Sequence, residues 1–193
     1  MAFVSLYKFW TRAHAKLFTL LARGDFRRLG RRSTIQPPIR LEGVQHIDIG
    51  EQVFIGSHSW LEVLDPDRLR HTAAIRLGPG TSISGHCTIS AAQSVIIESN
   101  VLIARYVYIS DHAHAHAAVD VPIKDQGIVN VAPVRIGEGA WLGQGVVICP
   151  GVTIGRNAVI GANSVVRHDV PEYSVAAGVP ARVIRSVQAE AMA

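Results

Sequence analysis

Aliphatic residues recur at every sixth position between Ile136 and Val165. Five consecutive segments of six residues open with an aliphatic side chain, four of them continue with glycine, and the fifth position of each holds a small or short branched residue. An α-helix would require apolar residues every three to four positions and would not tolerate a glycine in each turn. A short fixed period is instead typical of a solenoid. The pattern therefore predicts an all-β solenoid, a parallel β-helix in which each segment forms one strand and one bend and three segments close a triangular coil.

Less regular segments of the same length extend this repeat towards the N-terminus, beginning after the Pro37-Pro38 pair. We assign residues 33–185 to the β-helix domain. The six-residue period is interrupted between Trp60 and Ile75. The charged residues there predict an exposed excursion of the chain away from the β-helix. Residues 186–193 are expected to form a tail, either a short helix or a frayed end.

The longest interruption of the repeat covers residues 110–133. Three histidines follow Asp111 as Asp-His-Ala-His-Ala-His, and the chain is then polar and irregular until Val134. A long loop inside a regular solenoid is usually functional or disordered. Because the histidines are closely spaced, we predict a protruding loop that carries site residues.

Residues 1–32 predict a basic amphipathic helix at the N-terminus. Its apolar side chains recur at helical spacing, at Phe3, Leu6, Trp10, Ala13, Leu17 and Leu20. Lys8, Arg12 and Lys16 occupy other positions on the helical wheel, and five arginines follow up to Arg32. The helix could cap the open end of the β-helix, or it could lie on an anionic membrane surface. A nucleic-acid partner is disfavoured because nothing basic and aromatic continues into the solenoid.

Composition narrows the class of protein. Among 193 residues, 48% are hydrophobic but only 6% are aromatic, which fits a narrow core of Ile, Val and Leu. The two cysteines, Cys87 and Cys149, provide no disulfide framework, so a reducing compartment such as the cytoplasm is expected. Charged residues interrupt the N-terminal apolar stretch, which argues against a signal peptide, and no segment is apolar and long enough to span a bilayer.

The chain resembles the hexapeptide-repeat acyltransferases through three features. These are the six-residue segments that end with residues 160–166, the closing segment at residues 177–185, and the Asp-His-x-His sequence that begins at Asp111. The form of that sequence most resembles the capsule, exopolysaccharide and lipopolysaccharide O-acetyltransferases, with galactoside and maltose acetyltransferases as relatives. The resemblance implies a left-handed coil, a homotrimer with active sites between subunits, and acetyl transfer from acetyl-CoA to a sugar hydroxyl without a metal. The acceptor would be a glycan or a lipid-linked sugar, and the N-terminal helix would permit peripheral contact with the inner membrane surface.

The family's catalytic base is a histidine at the start of the looped-out segment, which corresponds to His112. Imidazole is suited to removing a hydroxyl proton near neutral pH. Asp111 could orient the ring, and His114 could assist or contact the acceptor. Galactoside-type members hold the acceptor with an asparagine one coil earlier, where this chain has Ser84. Either His86 or another loop residue substitutes for it, or the acceptor differs.

The resemblance also implies a set of cofactor-binding residues. Trp141 matches the aromatic residue that lines the family's pantetheine groove, and Gly143, Gly161 and Ala162 would allow close approach and offer backbone hydrogen bonds. Four basic residues match positions that meet the nucleotide phosphates, namely Arg167, His168, Arg182 and Arg185. Some of these residues also have a purely structural interpretation. Trp141 could pack between coils at the surface, and Arg182 and Arg185 could lie on a solvated C-terminal strand.

Two other functions remain open at this point. His112, His114 and His116 alternate, so on one strand they would face the same way and could bind zinc, as in the γ-class carbonic anhydrases. The ligands of those enzymes come from separate coils, however, rather than from one run. A non-enzymatic β-helix scaffold is the second alternative. An acyl-cysteine mechanism at Cys149 would need a neighbouring base, which the sequence does not supply.

Overall fold

A computed structural model describes residues 2–65 and 73–186. Its body is a triangular prism of short parallel strands, which confirms the predicted left-handed β-helix. Residues 66–72 of the predicted excursion lie outside the described residues, but the excursion begins later than predicted because Trp60–Val63 form a strand. The tail beyond Ser186 also lies outside the described residues, and Ser186 itself ends the last strand.

Each face of the prism is a sheet in which strands from successive coils pair side by side. Face 1 contains β1 (Arg28–Leu29), β4 (Ile47–Ile49), β7 (Ile75–Leu77), β10 (Val95–Ile97), β15 (Val134–Ile136) and β18 (Thr153–Ile154). Face 2 contains β2 (Thr34–Ile35), β5 (Phe54–Ile55), β8 (Ser82–Ile83), β11 (Leu102–Ile103), β16 (Trp141–Leu142), β19 (Val159–Ile160), β21 (Ser174–Gly178) and β22 (Ala181–Ser186). Face 3 contains β3 (Arg40–Glu42), β6 (Trp60–Val63), β9 (Thr88–Ala91), β12 (Tyr108–Ser110), β17 (Val147–Ile148) and β20 (Val165–Val166). The chain visits the faces in this order in each coil, and only β22 runs antiparallel to its neighbour among the strands of these faces.

The aliphatic residue that opens each six stacks on its counterparts in neighbouring coils. On face 1, Ile97 pairs with Leu77 below and Ile136 above, and all three are at most 3% exposed. On face 2, Ile103 stands in the same relation to Ile83 and Leu142. Burying such a side chain contributes about 1.5–3 kcal/mol. The six-residue period therefore produces continuous aliphatic columns along the axis, and these columns form the core.

The loop insertion leaves the prism between β12 and β15. It is not irregular throughout, because it contains an antiparallel hairpin of β13 (Ala113–His114) and β14 (Ile128–Val129). A short 3-10 turn at Ile123–Asp125 precedes β14. Strands β10 and β12 pair directly with β15 and β17, so the coils continue in register as though the loop were absent.

The predicted N-terminal helix is present as α1 (Ala2–Leu21), followed by a 3-10 turn at Ala22–Gly24. Its C-terminal half contacts the first coil. The Thr19 hydroxyl accepts a hydrogen bond from the Ile35 N–H at 2.8 Å and donates one to the Ala15 carbonyl at 2.7 Å. Ala15 and Thr19 are buried, whereas the side chains of residues 3–10 are exposed.

No helix in the described part of the chain combines the length and the hydropathy that crossing a membrane requires.

Candidate active site

A buried pair of Asp111 and His112 lies where β12 ends and the loop insertion begins. Asp111 Oδ1 is 2.9 Å from His112 Nδ1, and both residues are buried. The carboxylate also accepts hydrogen bonds from the backbone N–H groups of Ala92, Gln93 and Ser94, at 2.8, 2.7 and 2.6 Å. These three residues form the bend between β9 and β10 in the preceding coil. The stacking of two coils therefore fixes the carboxylate that faces the imidazole.

Hydrogen bonding keeps Asp111 ionised. Burial by itself raises the pKa of this carboxyl group, but the hydrogen bonds from His112 and from the three backbone N–H groups outweigh it, and the pKa lies below its ordinary value. An ionised carboxylate can only accept hydrogen bonds, so Nδ1 of the neutral His112 ring carries the proton. Nε2 then holds the free lone pair, and this tautomer is the one that a general base acting through Nε2 requires.

Ser110 fixes the backbone of His112. Its hydroxyl donates to the His112 carbonyl at 2.8 Å and accepts from the His112 N–H at 3.2 Å. The His112 side chain is only 6% exposed, so access to its ring is narrow. Ser110 was not among the predicted site residues, and its position directly before the Asp-His pair is the sequence signal that points to it.

The other two histidines of the cluster lie in different surroundings. His114 is exposed on β13, and His116 is exposed with its Nδ1 3.3 Å from the His114 carbonyl oxygen. The three histidines do not share one strand, because β12 ends before His112 and β13 contains His114 alone of the three. In residues 2–65 and 73–186, no group of three or more His, Cys, Asp or Glu side chains is placed to hold a metal ion.

The residues predicted to bind the acceptor lie at another corner of the prism. Ser84 is exposed and His86 half-buried in the bend between β8 and β9, where face 2 passes to face 3. His112 instead follows β12, where face 3 passes to face 1. One chain therefore does not bring Ser84 or His86 to the Asp111–His112 pair.

The structure reveals a ladder of rings at the His86 corner that sequence reasoning missed. The His86 ring stacks on His58 of the coil below, with centroids 4.6 Å apart and planes 7° apart, and it lies 5.0 Å from the Tyr106 ring above. All three residues have a positive φ, between 53° and 62°. That backbone conformation costs a non-glycine residue about 1–3 kcal/mol. Partial burial, Arg105 and His58 lower the pKa of His86, which favours an uncharged ring.

Most predicted cofactor residues lie on face 2 or at its edge. Trp141 is exposed on β16, and Ala162 is exposed in the bend that follows β19. Arg182 and Arg185 are exposed on β22, two strands beyond β19 in the same sheet. Arg167 and His168 are exposed as well, but they follow β20 at the corner between faces 3 and 1.

Gly143 and Gly161 were predicted to allow close approach of the cofactor and to offer it backbone hydrogen bonds, and their N–H groups are engaged within the prism. The Gly143 N–H donates to the Ile160 carbonyl and the Gly161 N–H to the Ala176 carbonyl, both at 2.8 Å. Both donors are therefore used between coils. A Cβ at Gly143 would lie 2.7 Å from the Ala162 nitrogen. The close packing of the coils is therefore sufficient to explain a glycine at this position.

Neither cysteine has the environment of a thiolate nucleophile. Burial raises the pKa of the Cys87 thiol and of the Cys149 thiol, and at Cys149 the nearby Arg167 only partly opposes it. Both groups are protonated near neutral pH, which argues against an acyl-cysteine intermediate.

Comparison with known proteins supports the hexapeptide repeat and the fold. Residues 133–168 match the bacterial transferase hexapeptide family (six repeats). The chain is 38% identical over 130 residues to a protein of Mycobacterium tuberculosis named as a probable acetyltransferase, an alignment that covers 67% of this chain and 43% of that protein. It is 40% identical over 133 residues to galactoside O-acetyltransferase of Escherichia coli, which covers 69% and 63%. The chain thus spans less than two thirds of each of these relatives.

A solved structure extends the likeness to nearly the whole fold. The hexapeptide-repeat-containing acetyltransferase of Vibrio cholerae, determined in complex with acetyl-CoA, is 28% identical with a TM-score of 0.58, and the match covers 92% of this chain and 87% of that one. The repeat, the prism and the looped-out corner define a left-handed β-helix of the hexapeptide class. Residues 133–168 thus match the hexapeptide transferase model, and the chain is similar over most of its length to acetyltransferases of this class.

Proposed function

We propose that this protein transfers an acetyl group from acetyl-CoA to a hydroxyl group of a sugar, with His112 as the general base. The observation that carries the proposal is the buried Asp111–His112 pair, whose hydrogen bonds leave Nε2 of the ring free to accept a proton. It lies at the start of the loop insertion, where the family resemblance places the base. We assign the exposed His114 to contact with the acceptor.

The proposed reaction proceeds by direct attack. Nε2 of His112 takes the hydroxyl proton while the hydroxyl oxygen bonds to the thioester carbonyl carbon. The tetrahedral intermediate collapses with cleavage of the C–S bond, and the imidazolium returns the proton to the departing CoA sulfur. The ionised Asp111 stabilises the imidazolium between these two proton transfers. The products are an acetyl ester and free CoA.

Acetyl-CoA is proposed as the donor because a solved relative binds it and because exposed groups suited to it line face 2. The relative from Vibrio cholerae was determined with acetyl-CoA. The exposed Trp141 offers an apolar surface to the pantetheine arm, and Arg182 and Arg185 offer guanidinium groups to phosphates. Arg167 and His168, at the corner between faces 3 and 1, are also proposed to contact phosphates.

A homotrimer is proposed because the required groups lie at two corners. The base follows face 3, whereas Trp141, Ser84 and His86 lie on face 2 or at its far edge. A second copy whose face 2 edge meets the His112 corner would complete the site. Closed cyclic symmetry then gives every copy the same contact.

The acceptor is proposed to be a glycan precursor of surface polysaccharide synthesis, free or carried by a lipid. Support comes from the Asp-His-x-His form and from the named activity of the Escherichia coli relative. The ladder of His58, His86 and Tyr106 supplies flat rings of the kind on which sugars stack, in place of the asparagine of galactoside-type members.

Two measurements test this function. Calorimetry of acetyl-CoA against the purified protein should show saturable binding, about one site per chain, that a chelator does not change. His112→Ala should then abolish release of free CoA thiol in the presence of a sugar acceptor while leaving acetyl-CoA affinity nearly intact, with His116→Ala as the matched control. No acetyl-CoA binding would refute the function, and full activity of His112→Ala together with loss in His114→Ala would move the base to His114.

A further inference from the structure

The N-terminal helix contacts the prism through Ala15, Phe18 and Thr19 rather than through the predicted apolar stripe. Ala15 and Thr19 are buried there, and the half-buried Phe18 and Ala22 pack against the hydrophobic core. The hydrogen bond from the Ile35 N–H to the Thr19 hydroxyl fixes this side against β2. The apolar stripe of α1 therefore cannot turn inward without breaking that contact.

The opposite side of α1 carries large apolar side chains into solvent. At helical geometry they lie on the face away from Thr11, Ala15 and Thr19, and they are 54–78% exposed: Phe3, Leu6, Trp10, Leu17 and Leu20. Phe9 and Leu21, exposed to 65% and 73%, flank this stripe. A contiguous exposed apolar surface of this kind marks an interaction site.

Charge identifies the partner of this surface. Lys8, Arg12 and Lys16 recur every four residues along one flank of the helix, and Ala2–Leu21 contains no acidic residue. Exposed arginines follow in the adjoining turn and first coil, at Arg23, Arg28, Arg31 and Arg32. A second copy of α1 would bring the same cations and no counter-charge, whereas anionic lipid headgroups supply the counter-charge over an apolar layer.

We propose that α1 lies in the interface of an anionic membrane, with the Phe3–Trp10–Leu17 stripe among the acyl chains, the Lys8–Arg12–Lys16 flank at the headgroups, and the prism held above the membrane by Thr19. This inference does not depend on the proposed acetyl transfer. It adds a location to the proposed function, because the enzyme would then meet a lipid-linked acceptor at the membrane surface.

Vesicle flotation of the full-length protein tests the proposal. With vesicles of phosphatidylcholine and phosphatidylglycerol at low salt, the wild type should float, and it should stay in the bottom fraction with phosphatidylcholine alone. Raising the ionic strength should reduce flotation because it screens the cationic flank. Flotation that is equal on both vesicle types, or absent from both, would overturn the proposal.

Matched variants locate the contact. Phe3→Ser combined with Trp10→Ser and Leu17→Ser should weaken binding to anionic vesicles at least about tenfold. Val183→Ser with Ile184→Ser, which removes exposed apolar groups from β22, should leave binding unchanged. Because all these side chains point into solvent, unchanged thermal melting should confirm that both variants fold. If the α1 variant instead floats like the wild type but sediments as a smaller oligomer, the stripe binds a second copy and the membrane proposal is wrong.

Discussion

Asp111 Oδ1 lies 2.9 Å from His112 Nδ1, and the bend of the preceding coil holds the same carboxylate through three backbone N–H groups. The carboxylate thus contacts two coils. Because the preceding coil holds it in place, it keeps the His112 imidazole in a fixed position. This arrangement links the geometry of the proposed base to the packing of the solenoid.

Asp111→Asn should lower turnover about 100-fold or more. The amide can present its NH2 group to Nδ1, which would place the imidazole proton on Nε2 and remove the base. Steady-state kinetics should show the loss in kcat with little change in the KM for acetyl-CoA. Asp120→Asn, at an exposed position of the loop, is the control and should retain full activity.

The lowered pKa of Asp111 predicts an acid-dependent contribution to stability. A carboxyl group whose folded pKa lies below its unfolded value, about 3.9, stabilises the fold fully above that value. The contribution is lost as pH falls through the folded pKa. The difference in melting temperature between wild type and Asp111→Asn should therefore be constant from about pH 5 to 7 and shrink below about pH 4. A difference that grows on acidification would contradict the sign of the shift.

The ring ladder predicts a selective effect on the acceptor. His86→Asn retains a residue that tolerates positive φ but removes the central ring, so the KM for the sugar acceptor should rise about tenfold because the stacked surface is lost. The KM for acetyl-CoA should not change. Gln52→Asn, also at positive φ but at the corner between faces 1 and 2, is the matched control. Equal effects on both substrates would mean that the ladder is only structural.

Gly143→Ala should destabilise the fold, because its Cβ would meet the backbone of the next coil at 2.7 Å. Forcing an extra methyl group into a packed site typically costs about 1–3 kcal/mol, equivalent to a fall in melting temperature of roughly 2–12 °C for a chain of this size. Gly24→Ala, where nothing lies within 4 Å, should melt within about 2 °C of the wild type. A Gly143→Ala protein that melts normally but loses acetyl-CoA affinity would show that this glycine serves the cofactor.

The fold could be predicted largely from Ile136 to Val165, because a six-residue period with an aliphatic opening position allows few packings other than stacked coils. The partners of Asp111 could not be predicted. They come from residues 92–94. Their alignment with Asp111 depends on how the third and fourth coils stack across the interval from Ile89 to Ile97, which is two residues longer than the repeat. The engaged N–H groups of Gly143 and Gly161 were missed for the same reason, since the pattern shows where glycine recurs but not which hydrogen bonds the coils exchange.

The helix shows a different limit. Periodicity correctly identified α1 and its apolar stripe, but it cannot tell which side of a helix packs. In the structure the packed side is held by the hydrogen bond between Thr19 and the Ile35 backbone and by Phe18 and Ala22, which pack against the core. These contacts depend on the backbone of the first coil, which the helical periodicity does not contain.

The loop insertion is closed at its base by the hydrogen bond from the Ala132 N–H to the Asp111 carbonyl, at 2.8 Å. The coils on either side pair as if the loop were absent, so residues between these two positions contribute little to the register of the prism. This segment is consequently a place where the chain can change in length and composition without cost to its framework. Variation there can alter what reaches His112 while the base and its carboxylate stay fixed.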